Sequence, residues 1–189
     1  YYGTEAYAAY GIGVQILSFS FVIGFGFSIA GATLVGQHLG AQNNDQAKRA
    51  GWGAMRLSII SMTFFGIVIV TFAEPLARFM IDNDEVVRLT VIFIWLLGSM
   101  QPLMAIEFSL GGALRGAGDT KTPLVITLTC LLFIRVFLAV IFFLLDASIE
   151  IIFSTLLADY IVKGFLYVSR FKSGRWMNVL KIKEVDQQL

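Results

Sequence analysis

The chain has 189 residues, of which 57% are hydrophobic and only 14% charged, and its net charge is +1. Soluble domains carry about 25% charged residues, so this composition argues against a soluble fold, and the near-neutral charge gives no reason to expect nucleic acid as a partner. Charge is absent from residues 57–73 and from residues 89–106. Each stretch approaches the roughly 20 apolar residues that a helix needs to cross a bilayer. The sequence therefore predicts an all-α, multi-pass transmembrane helical bundle whose immediate partner is the lipid bilayer.

About five spans are predicted along the chain. They cover residues 6–35, 51–73, 86–114, 123–145 and 149–168. Asp45 is the predicted N-cap of the second helix, because its side chain can accept a free backbone N–H. Pro102 lies within the third span, where proline removes a backbone hydrogen bond and predicts a kink. Only residues 146–148 separate the last two spans, so these two helices are expected to be antiparallel neighbours.

Small residues recur at every fourth position in the first span and the polar segment after it. They are Gly24, Ser28, Ala32, Gly36 and Gly40. On a helix this spacing places small side chains along one face and lets a neighbouring backbone approach closely. The pattern predicts a packing seam, and the density of glycine also suggests some conformational freedom.

Positive charges in the loops predict the orientation of the chain. Ten Lys and Arg residues collect on one side of the predicted spans, whereas only Arg78 and Arg88 lie on the other. Cytoplasmic loops carry the excess of such residues, so the C-terminus and the basic tail, residues 171–189, are expected in the cytoplasm. Apolar side chains of that tail, Trp176 among them, could hold it on the membrane surface. An odd number of passes that starts outside without a signal peptide predicts the second part of a longer protein.

Four ionisable residues remain inside the predicted spans. They are Glu107, Arg135, Asp159 and Lys163. Placing each of these charges at the centre of the bilayer costs about a few kcal/mol unless it is paired or hydrated. Arg135 and Asp159 fall at similar depth in neighbouring helices and could meet, and Lys163 is one helical turn from Asp159. For these three residues a structural ion-pair network and a functional role are equally good interpretations.

Glu107 differs because it has no partner nearby in the sequence. A buried carboxylate with few counter-charges can bind and release a proton, or hold Na⁺, which favours a functional role. Gln15 is a rare polar residue in the first span. It could line a cavity or make a hydrogen bond between helices, and the sequence does not distinguish the two.

No combination of residues typical of metal binding or enzymatic catalysis appears in the sequence. His38, which is expected in the loop after the first span, is the only histidine, and Cys130 is the only cysteine. No metal site, catalytic triad, phosphate-binding loop or dinucleotide-binding motif can be built from this sequence. We therefore expect no enzyme, no metal and no organic cofactor.

Two polar segments carry a recognisable pattern. The first is Gly36-Gln37-His38-Leu39-Gly40, and the second is Leu114-Arg115-Gly116-Ala117-Gly118-Asp119-Thr120-Lys121-Thr122-Pro123. Their order, their spacing and their shared cytoplasmic side resemble the multidrug and toxin extrusion (MATE) family of secondary transporters. The resemblance covers residues 1–170. This part of the chain is similar to helices eight to twelve of the family's twelve helices, which make up the C-terminal lobe without its first helix.

The resemblance implies a function as well as a fold. Members of this family export cationic or amphipathic drugs across the cell inner membrane by antiport with H⁺ or Na⁺, and their two lobes rock about a central cavity. The chain would then need a missing N-terminal lobe as its partner. Glu107 and Gln15 become candidates for ion or substrate binding, with the coupling ion in place of any cofactor.

One position departs from the family pattern. Many members carry an acidic residue about eleven positions before the motif arginine, and that position here is Met104. Glu107 lies one turn nearer the cytoplasm on roughly the same face. Either Glu107 substitutes for the missing acid, or the coupling ion binds mainly in the other lobe.

Two alternative functions stay open at this point. A lipid-linked oligosaccharide flippase of related architecture would expose several cationic side chains, such as Arg135 and Lys163, to meet pyrophosphate. A truncated membrane protein without transport activity would act only as an embedded partner.

Overall fold

The chain folds as a bundle of α-helices in a computed structural model that describes residues 3–145 and 149–179, and no β-strand occurs in these two ranges. The helices are α1 (Gly3–Gly40), α2 (Asn44–Thr71), α3 (Ala73–Met80), α4 (Asp84–Ser99), α5 (Gln101–Gly116), α6 (Lys121–Thr129), α7 (Phe137–Leu144) and α8 (Ile149–Ser173). A π-helical segment, Cys130–Val136, joins α6 to α7 without a break, and a short 3-10 helix, Arg175–Asn178, follows α8. The predicted all-α fold class is confirmed.

The longest helix, α1, forms the centre of the bundle because it packs along α5, α2 and α4. α8 packs mainly against α5 and the π-helical segment. One apolar cluster joins Val35, Leu114 and Phe171 near the C-terminus of α1, and a second joins Leu17 and Phe93 farther along that helix. α5 therefore contacts both the central helix and α8, and this position makes it the helix on which the candidate site is built.

α1 and α5 cross with their backbones in contact. A Cβ atom at Gly112 would overlap the backbone of Ser28, and a Cβ atom at Gly116 would overlap the backbone of Ala32. A Cβ atom at Gly36 would lie 3.1 Å from the Gly116 carbonyl oxygen. The predicted seam of small residues is confirmed for this part of α1. The helix that packs against the seam is α5.

The third predicted span is broken near its middle. α4 ends at Ser99, α5 begins at Gln101, and the two helices are inclined to each other by 51°. Pro102 occupies the first turn of α5, where its missing N–H and its ring prevent α4 from continuing. The kink predicted at Pro102 is therefore confirmed, with the fully buried Met100 at the bend.

The connection between α1 and α2 differs from the prediction at both ends. The first motif, expected in a loop, forms the last turn of α1, which ends in a Schellman-type cap with Gln42 at a φ of 57°. The Asn43 side chain accepts a hydrogen bond of 3.1 Å from the Gln46 backbone N–H. Asn43 is thus the N-cap of α2, and the prediction for Asp45 was wrong. Asp45 instead lies in the first turn, where its negative charge still suits the helix dipole.

Helices long and apolar enough to cross a membrane are present among the described residues. They are α1 over Tyr7–Gly40, α2 over Asn44–Thr71 and the continuous α6–α7 unit over Lys121–Leu144, and the bent α4–α5 pair would make a fourth. α8 contains the fifth predicted span, and it carries Asp159 and Lys163. These helices support a multi-pass membrane protein, and the number of five spans stays a prediction.

The start of the C-terminal tail is folded onto the bundle. Trp176 was expected at the membrane surface, but its side chain is fully buried. Its indole stacks on Phe171 with 4.6 Å between ring centroids and donates a hydrogen bond of 2.8 Å to the Phe171 carbonyl oxygen. Gly174, with a φ of 70°, makes the turn that allows this contact. Residues 146–148, the predicted short turn, and residues 180–189, the rest of the tail, lie outside the described residues.

Replacing Gly112 with alanine should destabilise the protein, because the new Cβ atom would force α1 and α5 apart. We expect a loss of about 1–3 kcal/mol, the usual range for overpacking, seen as a lower midpoint of thermal unfolding. The measurement uses the full-length protein in detergent with tryptophan fluorescence. Gly26→Ala is the matched control, since a Cβ atom at Gly26 has no neighbour within 4 Å. Unchanged melting of the Gly112→Ala protein would refute the backbone contact.

Candidate functional site

Three of the four charged residues predicted inside the spans meet between α5 and α8. Lys163 Nζ lies 2.9 Å from Asp159 Oδ2 on the same helix and 3.7 Å from Glu107 Oε1 on α5. The side chain of Asp159 is fully buried, that of Lys163 is 7% exposed and that of Glu107 is 21% exposed. Lys163 Nζ also lies 5.4 Å from the centre of the Tyr160 ring, a cation–π contact. Glu107, Asp159 and Lys163 are called the charged cluster below.

The charged cluster contains more carboxylates than ammonium groups, so it can accept a further cation. Lys163 is close enough to Asp159 for an ion pair, but the angles are not those of a hydrogen bond, and neither Asp159 oxygen has a hydrogen-bond partner among the described residues. Buried polar atoms are normally hydrogen-bonded, so this carboxylate is unusual. Two carboxylates face one ammonium, which leaves an excess negative charge when all three groups are ionised. A proton or a monovalent cation would neutralise it.

Arg135 does not join the charged cluster. It is half-buried in the π-helical segment, near enough to Tyr160 for an electrostatic interaction, and it forms no ion pair with any described residue. The meeting of Arg135 with Asp159 that the sequence suggested is therefore not found. Asp159 pairs with Lys163 instead, because one turn of α8 already places the ammonium within reach.

The Gln15 side chain is exposed on α1, and it forms no hydrogen bond to another helix in the described part of the chain. Of its two interpretations, the hydrogen bond between helices is not observed. The role in lining a cavity stays a prediction.

Met104 and Glu107 lie on the same helix in different surroundings. Met104 is buried in an apolar cluster with Met62 and Ala105. Glu107 approaches Lys163 of α8. The family's usual acidic position is thus filled by a core residue, and the only described carboxylate of α5 lies one turn away in the charged cluster.

The two family motifs, far apart in the sequence, meet at the end of the α1–α5 crossing. Gly36 of the first motif approaches Gly116 of the second. Arg115 Nη2 donates a hydrogen bond of 2.9 Å to Ser28 Oγ, which ties the end of α5 back to α1. The exposed members of the first motif are Gln37 and Gly40. The motif residues that are in contact therefore hold helices together and do not enter the charged cluster.

Asp119 of the second motif connects α6 to the end of α8. Its Oδ1 accepts hydrogen bonds from the Thr122 backbone N–H at 3.2 Å and the Thr122 hydroxyl at 2.7 Å, which caps α6. Its Oδ2 accepts two hydrogen bonds from the Arg170 guanidinium, at 2.6 and 2.9 Å. Burial opposes ionisation, but these hydrogen bonds outweigh it and hold the pKa of Asp119 below its ordinary value. Gly118 supplies the turn before it, with a φ of 80°.

The Asp119–Arg170 pair was not predicted from the sequence. Arg170 stood out only as one of several basic residues near the tail. The spacing from Asp119 to Thr122 is that of an N-cap, so the capping half of this arrangement could have been predicted.

A membrane bundle with a broken helix beside a buried group of charges is the architecture typical of secondary transporters. A family model described as MatE matches residues 1–141 of the chain. The chain belongs to the MatE family, which confirms the resemblance seen in the two motifs. The match includes Glu107 and both motifs, whereas α8 with Asp159 and Lys163 lies beyond it.

Curated relatives extend this similarity to most of the chain. The chain is 35% identical over 183 residues to a probable multidrug resistance protein NorM of Thermotoga maritima. This alignment covers 92% of the chain and 38% of the relative. Proteins of the same name from Mesorhizobium japonicum and Mannheimia succiniciproducens are each 32% identical, over 64% and 68% of this chain. These alignments cover 27% and 28% of the two relatives. The chain thus spans well under half the length of the curated relatives it matches.

Lys163→Met should destabilise the protein more than the double variant Asp159→Asn/Lys163→Met. The single change leaves the carboxylates of Asp159 and Glu107 without a counter-charge, and breaking a buried pair in this way costs about 3–5 kcal/mol. The double variant leaves only the carboxylate of Glu107 and so avoids part of that penalty, and Asp159→Asn alone completes the set of variants. Thermal unfolding of the full-length single and double variants measures the coupling between the two sites. A double variant whose loss equals the sum of the two single losses would contradict the pairing.

Asp119→Asn should lower stability at pH 7 and flatten its dependence on pH. Because the pKa of Asp119 is lowered by folding, its stabilisation is present above the unfolded-state pKa of about 4 and is lost as pH falls through the folded-state value. The unsubstituted protein should therefore lose more stability than the variant as pH falls from about 5 to about 3. Melting curves at several pH values test this, with the exposed loop variant Asp82→Asn as control. Parallel curves for Asp119→Asn and the unsubstituted protein would argue against it.

Proposed function

We propose that this chain forms part of the C-terminal lobe of a multidrug efflux transporter, which exports cationic or amphipathic compounds by antiport with H⁺ or Na⁺. Membership of the MatE family supports this, as do relatives described as probable multidrug resistance proteins. The chain spans 38% of the Thermotoga maritima relative, so the proposed activity also requires a second lobe. The proposed location is the cell inner membrane, with the C-terminus in the cytoplasm, on the basis of the positive charges in the loops.

The charged cluster is the observation that supports ion coupling. Its two carboxylates and one ammonium leave an excess negative charge between α5 and α8, and the Asp159 oxygens have no hydrogen-bond donor among the described residues. An ion bound there would neutralise the cluster and remove the repulsion between Glu107 and Asp159. The Glu107 side chain is 21% exposed, so the cluster reaches the surface of the described bundle at this residue.

The position of Glu107 on α5 suggests how ion binding reaches the rest of the lobe. Glu107 lies between the bend at Pro102 and the backbone contact of Gly116 with α1. A change in the separation of α5 and α8 at the cluster would therefore act on a helix that is bent at one end and tied to α1 at the other. In the proposed cycle the ion stabilises one arrangement of the lobes and the substrate stabilises the other.

The surroundings of Lys163 weigh against the flippase alternative. A flippase needs cationic side chains that are free to meet pyrophosphate, whereas Lys163 is buried against two carboxylates. Of the two cations predicted inside the spans, only Arg135 would then be left to meet pyrophosphate.

Glu107→Gln should abolish ion-coupled export and leave the protein folded. The amide keeps the shape of the side chain but cannot take up a proton or balance a cation. The assay uses full-length protein in inverted vesicles with an imposed H⁺ or Na⁺ gradient, follows a fluorescent cationic dye, and asks whether added dye dissipates the gradient. We expect coupled export to fall to the level of vesicles that lack the transporter.

Asp82→Asn serves as the control for loss of a carboxylate, since Asp82 lies in an exposed loop. Its export should match that of the unsubstituted protein. Normal coupled export by correctly inserted Glu107→Gln protein would exclude Glu107 as the coupling carboxylate. Absence of dye movement with either ion in the unsubstituted protein would contradict the proposed transport function itself.

A further inference from the structure

A surface groove runs along α4, and no member of the charged cluster lines it. Its first part is a cleft of about 670 Å³ between α3 and α4, with charged side chains at its mouth. Its second part is a cleft of about 470 Å³ between α2 and α4, with mostly apolar lining that ends at Pro102. Trp95 lines both parts, so the two clefts meet at this side chain, and together they are called the groove, with a charged end and an apolar end.

The charges at the mouth are arranged as paired opposites. Arg78 lies 2.9 Å from a carboxylate oxygen of Glu74 and 2.9 Å from one of Asp84, and Arg88 lies 2.7 Å from one of Glu85. Each of these side chains is more than half exposed. Three carboxylates against two guanidiniums leave one net negative charge. The mouth therefore suits a headgroup that carries both signs better than it suits an anion.

The short helix α3 places these charges at the level of the membrane surface. Ala73 and Ala77 face the protein, whereas Phe79 on the outer side is 90% exposed. A helix with one apolar outer face and charges beside it lies in the interface between lipid headgroups and acyl chains. The mouth of the groove is then at headgroup depth.

The length of the groove matches one acyl chain. Trp95 lies seven residues from Arg88 and seven from Pro102, so the groove extends about 20 Å along α4 and the start of α5. Half of a 30 Å hydrocarbon core is about 15 Å, and the bend at Met100 shortens the vertical reach of the groove. The apolar end therefore lies near the middle of the bilayer.

We propose that this groove binds one phospholipid with a zwitterionic, primary-amine headgroup of the phosphatidylethanolamine type. Its ammonium lies against Glu74 and Asp84, its phosphate against Arg78 and Arg88, and one acyl chain passes Trp95 toward Pro102. The carboxylates can accept the N–H donors of a primary amine, which a trimethylated headgroup lacks. The anionic headgroup of phosphatidylglycerol brings no amine and meets the net negative charge of the mouth.

Photo-crosslinking in bilayers of defined composition tests this proposal. Full-length protein with p-benzoyl-phenylalanine in place of Trp95 is placed in nanodiscs with equal amounts of phosphatidylethanolamine, phosphatidylcholine and phosphatidylglycerol, and the crosslinked lipid is identified by mass spectrometry. The control carries the same probe in place of Phe133, which is 68% exposed and lines neither cleft. We expect phosphatidylethanolamine to be enriched roughly threefold over phosphatidylcholine at position 95, a modest factor because the contacts are exposed, and phosphatidylglycerol to be least abundant.

A charge-removing variant separates the headgroup from the chain. Arg78→Gln/Arg88→Gln should remove the preference at position 95, whereas Arg175→Gln, an exposed change outside the groove, should leave it intact. If the double variant does not fold, the proposal is tested by the comparison of the three lipids in protein that keeps Arg78 and Arg88. Equal crosslinking of the three lipids at position 95, the same lipid pattern at positions 95 and 133, or enrichment of phosphatidylglycerol would each overturn the proposal.

Discussion

The contact of the α1 and α5 backbones is the constraint on which the rest of this lobe depends. No side chain larger than hydrogen fits at Gly112 or Gly116, so the position of α5 against α1 is set by backbone atoms and not by adaptable side chains. α5 in turn presents Glu107 to α8. A shift at the crossing would therefore move one carboxylate of the charged cluster relative to the other two members.

The second motif is explained by the same constraint. Its glycines and arginine end α5 against α1, with Arg115 bonded to Ser28, and Asp119 then caps α6 and holds Arg170 at the end of α8. Contacts of the two family motifs thus fix the relative positions of α1, α5, α6 and α8 at one end of the bundle. The contacts of this motif are structural, and none of its residues belongs to the charged cluster.

Sequence reasoning reached those features that depend on local chemistry. Proline fixed the break near residue 102, and the four-residue spacing of small residues fixed the seam, because both are properties of a single helix. It failed where the outcome depends on which helices meet. Arg135 and Asp159 were predicted at a similar depth, but Arg135 lies in the π-helical segment outside the cluster, and Glu107 of α5 approaches Lys163 instead. Trp176 has the composition of a membrane anchor, and only the turn at Gly174 brings it into the core.

The cluster also limits what kind of cation could act there. Lys163 is a permanent occupant that already lies within 4 Å of both carboxylates, so an incoming ion must either share the site or displace the ammonium. A proton needs no space and no new ligands, because it can sit on an oxygen that has no hydrogen-bond donor, as both Asp159 oxygens do among the described residues. Na⁺ needs several oxygen ligands, and here it would compete with a like charge for two carboxylates. For the ion coupling that we propose, the charged cluster therefore offers an oxygen for a proton more readily than a set of ligands for Na⁺.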